Sequence, residues 1–113
     1  MALFAIAFPV PPGKSAEWQK FAAELTGPRR AEFAASRKKV GVHERTFLQK
    51  TPMGDLIIVT LEGADPASAM QRMSAETDPF TQWFLEQVSS IHGVDMKGPP
   101  PGPPPELVID SEG

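Results

Sequence analysis

The sequence predicts an α+β domain in which helices cover one face of an antiparallel sheet. Three patterns predict it: a β-hairpin between Gly41 and Glu62, an alternating strand between Leu3 and Val10, and helical stripes of apolar residues on both sides of the hairpin. At 113 residues, 41% of them hydrophobic, the chain has the size of one domain and enough apolar side chains for a small core.

The hairpin is the centre of the predicted sheet. Val42–Gln49 mixes polar and apolar residues, whereas Leu56–Leu61 is almost wholly apolar and rich in β-branched residues. Thr51–Asp55 lies between them and contains the proline, glycine and aspartate that favour a tight turn. An isolated hairpin is only marginally stable in water, so these two strands require further strands or a covering helix.

The N-terminal run has the period of two that predicts a strand with two different faces. The large residues fall on one face: Phe4, Ile6, Phe8 and Val10. Ala5 and Ala7 fall on the other, and such a small face accepts close approach by another layer, a ligand or a second subunit. Pro9 limits hydrogen bonding and so predicts a strand end or a sheet edge.

Two helical patterns precede the hairpin. The first has an apolar stripe made of Trp18, Phe21, Ala22 and Leu25. Ser15 is its predicted N-cap, and Gly27-Pro28 interrupts it. A second helix over Pro28–Lys39, or a kink in one long helix, follows. The arginines and lysines of this piece predict a largely exposed, solvated face, with binding of an anionic group as the alternative.

Two Asp-Pro pairs after the hairpin predict two further helix starts, because aspartate caps a helix N-terminus and proline fits the first turn. The first pair, Asp65-Pro66, precedes two methionines on the predicted buried side, Met70 and Met73. The second pair, Asp78-Pro79, begins the strongest helical stripe of the chain, which Gly93 ends. This stripe consists of Phe80, Trp83, Phe84, Gln87, Val88 and Ile91.

The C-terminal segment differs in composition and divides the chain into an α+β domain, residues 1–97, and a proline-rich C-terminus, residues 98–113. Lys97–Pro105 is a polyproline segment, which is extended and stiff. Glu106–Asp110 contains a compact apolar triad and predicts a short fourth strand, so that the polyproline acts as a strap back to the sheet. The alternative is a free tail that binds a partner such as a proline-recognition module.

Composition excludes several classes of site and partner. The net charge of −3 and the pI of about 5.3 give no electrostatic footprint for nucleic acid or for an anionic membrane. The absence of cysteine excludes disulfides, zinc–thiolate sites and cysteine nucleophiles. The apolar N-terminal run has no basic residues before it and is shorter than a membrane span of about 20 residues. We therefore expect a soluble, cytoplasmic protein.

The predicted element order, βαββαβ, is the ferredoxin-like arrangement. Its helices cover one sheet face and leave the other bare, and pairing of two bare faces across a two-fold axis would bury them. The pattern resembles the dimeric α+β-barrel superfamily, and within it a group of small proteins with the runs Gly27–Arg30, Leu48–Asp55 and Ile91–Gly93. The resemblance implies a homodimeric α+β barrel. The superfamily includes cofactor-free monooxygenases, lactone isomerases, polyketide cyclases and haem enzymes, so it selects no single function.

The first hairpin strand carries one candidate site. Alternation places four of its residues on one face: His43, Arg45, Phe47 and Gln49. If this face points into the barrel, it supplies a base, a cation, an aromatic wall and an amide, which suits a polarised aromatic or carbonyl ligand. The alternative is that His43 and Arg45 are solvent-facing residues at a sheet edge.

His92 is the second catalytic candidate. It is a general base, a metal or haem ligand, or a helix-end residue that binds backbone carbonyls. Trp83 is a further substrate-binding candidate, with a place in the core as the alternative. No cofactor is predicted, because no cluster of histidines, cysteines or carboxylates has the spacing of zinc ligands. Haem stays open because it needs only one axial histidine.

Two classes of function follow. The first is a cofactor-independent enzyme, an isomerase, cyclase or monooxygenase, that acts on a small apolar or aromatic substrate with His43 and His92 as acid–base residues. The second is a non-catalytic homodimer that binds a ligand or another protein. A cavity lined by both histidines favours the enzyme, and an interior filled with side chains favours the second class.

Overall fold

A three-stranded antiparallel sheet and four helices form the part of the chain described by the computed structural model, residues 2–94 and 105–112. The elements in chain order are β1 (Ala2–Pro9), α1 (Ser15–Thr26), α2 (Arg30–Val40), β2 (Val42–Thr51), β3 (Gly54–Gly63), a short 3-10 helix (Pro66–Ser68), α3 (Ala69–Ser74) and α4 (Pro79–His92). The α+β class is thereby confirmed. Most of the predicted polyproline strap lies outside the described residues.

The hairpin and the N-terminal strand are confirmed as neighbours in one sheet of order β1-β3-β2. The hairpin loop has two residues, Pro52 and Met53, because Thr51 already pairs with Gly54. The Thr51 hydroxyl supports the turn by accepting from the backbone N–H of Met53 at 3.2 Å. Gly54 has a φ of 124°, a value that other residues rarely adopt, so the glycine is required for this turn.

The strand register gives the sheet two unlike faces. On the face packed against the helices, Phe4 lies opposite Leu61, which in turn lies opposite Glu44. On the other face, Ala7 lies opposite Ile58, which lies opposite Phe47. We call this second surface the open face; its residues on β1 and β2 are exposed. The predicted separation of large and small residues on β1 is therefore correct.

The start of α1 differs from the prediction. Ser15 is the first helical residue rather than the N-cap, and Lys14 precedes it without a capping side chain. The Ser15 hydroxyl instead donates to the Asp55 carboxylate at 2.9 Å. Helix α1 is therefore tied to the start of β3. The predicted interruption after α1 is confirmed, and the second helix begins at Arg30.

The second Asp-Pro pair starts a helix as predicted. The Asp78 carboxylate accepts from the Thr81 backbone N–H at 2.9 Å and from the Thr81 hydroxyl at 2.8 Å. These hydrogen bonds to the charged form lower the pKa of Asp78. At Asp65 the helix begins as a 3-10 turn, and the Asp65 carboxylate accepts from the Ser68 hydroxyl at 2.7 Å. Asp65 occupies the N-cap position and Pro66 the first turn, as predicted, but the Asp65 side chain makes no capping bond to the backbone.

The core lies between the sheet and the helices and is rich in aromatic rings. Phe21 of α1 contacts Phe84 of α4 with ring centroids 5.3 Å apart, and Phe33 of α2 stacks on Phe84 at 6.1 Å. Leu85 and Ile91 of α4 are almost fully buried. The stripe predicted for α4 therefore joins three helices to the same face of the sheet.

The C-terminal apolar triad lies outside the sheet. Residues 105–112 contain no strand, and Leu107, Val108 and Ile109 are 71%, 79% and 85% exposed. The predicted fourth strand is thus not formed within the single chain, because these residues pair with neither edge of the sheet. The longest helix in the described ranges has 14 residues. No helix in these ranges is long and apolar enough to cross a membrane.

Candidate functional site

A cavity of about 400 Å³ lies between the sheet and the helices. Its walls are mostly apolar side chains from β1, β3, α1 and α4, including Ile6, Phe8, Trp18, Ile57, Val59 and Val88. The interior of this layer is therefore not filled with side chains. The volume falls in the range of about 300–1,000 Å³ that is usual for small-molecule sites.

A buried ion pair forms one polar part of the cavity wall. Arg37 of α2 donates from Nε to a carboxylate oxygen of Glu44 on β2 at 2.5 Å. The Arg37 side chain is 5% exposed and the Glu44 side chain 7%. Only the turn at Gly41 separates the two elements, so the pair fixes the end of α2 against the start of β2.

Not every N–H donor of the Arg37 guanidinium has a hydrogen-bond partner. Its Nη1 donates to the Ser36 hydroxyl at 2.9 Å. Its Nη2 is buried and has no hydrogen-bond partner within residues 2–94 and 105–112. The rings of Phe84 and Phe33 lie 4.3 and 4.8 Å from the guanidinium carbon, and their π faces attract its charge. A ring face is a weak acceptor, so Nη2 still lacks a conventional one.

The basic run of α2 was predicted to be largely exposed, and for Arg37 this is wrong. The sequence does contain a weak signal for its burial. Phe33 lies four residues before Arg37 and so on the same side of the helix. Glu44 follows His43 on β2, so its side chain lies on the opposite face of the strand, toward the helices. Without the fold, however, neither residue identifies the other as its partner.

His92 is the second polar group of the cavity wall. Its Nδ1 lies 3.0 Å from the Pro9 carbonyl oxygen, and its ring packs on Phe8 with centroids 5.2 Å apart. The carbonyl can only accept, so Nδ1 carries the proton and Nε2 of the neutral ring is left as an acceptor. Burial lowers the pKa of His92, and the bond to Pro9 opposes this more weakly. His92 is thus a base held in one tautomer by the backbone of β1.

The four candidates on β2 share one face, as the alternation predicts. That face is the open one, on the opposite side of the sheet from the cavity: His43, Arg45, Phe47 and Gln49. The cavity is therefore lined by His92 but not by His43. In the single chain all four are exposed, and Arg45 pairs with Glu62 of β3 at 3.4 Å.

Trp83 lies on the buried stripe of α4 but does not line the cavity. Its ring contacts Phe21 and Phe80 at 5.5 and 5.7 Å. The guanidinium carbon of Arg29 lies 4.1 Å from the centre of the same ring. Trp83 therefore packs in the core, which was the alternative to a substrate-binding role. Trp18, by contrast, lines the cavity.

A metal centre finds no support in the described ranges, where no three histidine or carboxylate side chains are grouped closely enough to hold an ion. No family model, no curated protein and no solved structure matches this chain. The cavity and the open face are therefore the features of the molecule that bear on its function.

The burial of Arg37 and Glu44 predicts how replacing them changes the free energy of unfolding. Arg37→Met alone leaves the Glu44 carboxylate buried and unpaired, so we expect a loss of about 3–5 kcal/mol in the free energy of unfolding. The double variant Arg37→Met/Glu44→Leu removes both charges and should stay within about 1 kcal/mol of the wild type. Urea unfolding measures both. As a matched control, Lys14→Met breaks the exposed pair with Glu17 of α1, away from both the cavity and the open face, and should cost less than about 1 kcal/mol. Equal losses at the two pairs would contradict the buried arrangement.

A second prediction concerns pH. Because burial lowers the pKa of folded His92, the unfolded chain binds a proton near its ordinary value of about 6.5 while the folded chain does not. The corresponding stability is present above that pH and is lost as the pH falls toward the folded pKa. We expect His92→Gln to flatten the stability profile between about pH 7.5 and about pH 5, measured by urea midpoints. An unchanged slope in the variant would show that His92 is not held neutral.

Proposed function

We propose that this protein is a homodimer that binds a small apolar or aromatic molecule in the cavity of each subunit. The observation that carries the proposal is the cavity itself: apolar walls with a few polar groups, Arg37, Glu44 and His92, at defined places. Such a combination is typical of sites where apolar surface supplies affinity and a few hydrogen bonds supply orientation. A domain that only mediated protein contacts would have no need of this interior space.

A cofactor-independent enzyme is the first form of this proposal. His92 favours it, because the residue lines the cavity and the Nε2 of its neutral ring can accept a proton while Nδ1–H donates to the Pro9 carbonyl. Proton removal next to a carbonyl is the step that isomerases, cyclases and cofactor-free monooxygenases share. In this scheme the hydrogen bond to Pro9 orients the ring. A non-catalytic ligand-binding homodimer is the alternative, in which His92 only closes one end of the site.

The open face supports the homodimer. Leu3 of β1 and Phe47 of β2 are 59% and 54% exposed there, and Ala5 and Ala7 follow Leu3 on the same face of β1. Small side chains permit a second layer to approach closely, and a contiguous apolar sheet surface is unusual on a monomer. A second copy offers the same surface and closes the assembly with two-fold symmetry. The β2 residues His43, Arg45 and Gln49 would then lie at the centre of the barrel.

The fourth strand belongs to the same proposal. In the sheet order β1-β3-β2, β1 has one free edge. Leu107–Ile109 is apolar and exposed, and its addition to that edge would satisfy the free backbone groups of β1 and complete the ferredoxin-like sheet. Since the single chain does not form this strand, we propose that the pairing occurs in the homodimer. The α+β-barrel resemblance is consistent with this arrangement.

The cavity proposal is tested by a pair of neighbouring alanines on α1. Ala22 lines the cavity, whereas Ala23 is exposed. Ala22→Leu fills part of the space, so we expect at least about tenfold weaker binding of a bicyclic hydrocarbon such as ethylnaphthalene, because lost contacts and strain each cost free energy. Ala23→Leu should bind as the wild type does. Fluorescence titration of the probe measures the affinities.

An equal affinity in both alanine variants would place the probe elsewhere on the protein. Failure of the wild type to bind ethylnaphthalene or any bicyclic probe would refute the cavity as a ligand site.

The dimer is tested on β2. Phe47→Asp puts a charge in the middle of the open face, where pairing would bury it, so we expect a protein with the mass of one chain and unchanged helix content. Met53→Asp, at the exposed tip of the hairpin, should remain dimeric. Light scattering gives the mass, and circular dichroism the helix content. A wild-type protein with the mass of one chain would exclude the barrel.

A further inference from the structure

We infer that the ligand of the cavity is a neutral aromatic molecule whose hydroxyl group donates a hydrogen bond to the free carboxylate oxygen of Glu44. This inference rests on the proposed function and adds the chemical class of the ligand and the residue that recognises it. It depends on three features of the cavity wall: a buried carboxylate with one unpaired oxygen, a charge that is already balanced, and an apolar row of the sheet beside them.

The free acceptor belongs to a charged side chain that the fold buries almost completely. The Glu44 side chain is 7% exposed, and its Oε1 accepts from Nε of Arg37. No donor within residues 2–94 and 105–112 reaches its second oxygen, Oε2. In these ranges the one side-chain nitrogen or oxygen that is both sealed from solvent and unpaired is Nη2 of Arg37, so Oε2 retains a surface that another molecule can touch. Glu44 lines the cavity, which is where a ligand meets that surface.

The unpaired oxygen determines what the ligand offers. A carboxylate oxygen accepts hydrogen bonds and cannot donate one, so the ligand supplies the hydrogen. Hydrogen bonds to an ionised acceptor are shorter than those between neutral groups and about twice as strong. A hydroxyl at Oε2 therefore contributes affinity that an ether or a hydrocarbon of the same shape does not.

The ion pair determines which charge the ligand carries. Glu44 already balances the guanidinium of Arg37 at 2.5 Å, so the pair has no net charge. An ammonium group would bring an unbalanced positive charge into an apolar space, and a carboxylate would bring a negative charge next to Glu44. Both are costly, whereas a neutral hydroxyl adds no charge. The site therefore favours a phenol or an alcohol over the corresponding amine or acid.

The strand register gives the apolar part of the ligand its place. On the helix side of the sheet Glu44 lies opposite Leu61. The next row toward the hairpin turn consists of Ile6, Val59 and Thr46, which all line the cavity. At roughly 3.3 Å per residue this row lies about 7 Å beyond Glu44, a distance that a two-ring molecule covers. A bicyclic phenol with its hydroxyl at Glu44 therefore lays its rings on Ile6 and Val59.

The test compares three probes of similar shape: naphthol with a hydroxyl, methoxynaphthalene with an oxygen that cannot donate, and ethylnaphthalene without an oxygen. In the wild type we expect naphthol to bind at least about tenfold more tightly than each of the others, because a hydrogen bond to a charged acceptor is worth about that factor. Naphthylmethylamine, a cation at neutral pH, should bind more weakly than naphthol. Titration calorimetry measures the four affinities.

Glu44→Gln isolates the contribution of the free oxygen. Nε of Arg37 requires an acceptor, so the amide carbonyl of the glutamine takes the position of Oε1 and its NH2 group replaces Oε2. We expect ethylnaphthalene to bind this variant as it binds the wild type, whereas the preference for naphthol over methoxynaphthalene disappears. Thr46→Val is the matched control, because it removes the other polar side chain that β2 contributes to the wall, and it should keep the preference. If Glu44→Gln does not fold, Arg37→Met/Glu44→Leu replaces it, and the preference should again disappear.

Several results would overturn the inference and leave the cavity proposal standing. One is equal binding of naphthol and methoxynaphthalene to the wild type, and another is a preference for naphthol that survives in the folded Glu44 variant. Tighter binding of naphthylmethylamine than of naphthol is a third. Loss of the preference in Thr46→Val or in His92→Gln would assign the hydroxyl to that residue and would overturn the role of Glu44. If none of the probes binds the wild type, the proposed function fails and the inference fails with it.

Discussion

The buried Arg37–Glu44 ion pair is the contact on which the candidate site depends. It joins α2 to β2 across the short turn at Gly41, whose left-handed backbone, with a φ of 78°, reverses the chain between them. Burial of two charges is costly, and the pair offsets this cost only while both members are present. The same contact therefore fixes a helix over the sheet and keeps a polar group in an otherwise apolar wall. Well-packed apolar residues can often replace such a pair without loss of stability, so stability alone does not account for its presence.

The two faces of the sheet differ in what they bear. The face toward the helices bears the cavity, whose wall includes Arg37 and His92. The open face bears the exposed apolar and polar residues of β1 and β2, and the proposed homodimer would cover it with a second copy of the same surface. Because successive residues of a strand point to opposite sides, β2 contributes to both: Glu44 to the cavity and His43 to the open face. The proposed ligand site and the proposed dimer interface therefore lie on opposite sides of the sheet and can be altered by separate substitutions.

The predictable part of the molecule follows from periodicity. Alternation on β1 and β2 grouped the residues by face correctly, although it left open which face of β2 points inward, and the Asp78-Pro79 start and the apolar stripe of α4 located the longest of the described helices. These features depend on local chemistry, which a single sequence contains.

The role of Ser15 could not be predicted in this way, because its hydroxyl bonds to Asp55, 40 residues away, and no local pattern encodes that partner. The burial of Arg37 could not be predicted for the same reason. A charged residue on a basic helix is usually solvated, and only the position of Glu44 in the fold allows this one to be buried. The cavity could not be predicted at all, since an unfilled space between layers depends on how far the helices stand from the sheet.

The most direct measurement of the central claim is a crystal structure of the protein with ethylnaphthalene bound. The proposed function predicts the naphthalene rings between the sheet and the helices, in contact with Ile6, Val59 and Val88. Rings bound on the open face beside His43, or an interior closed by side chains, would contradict it.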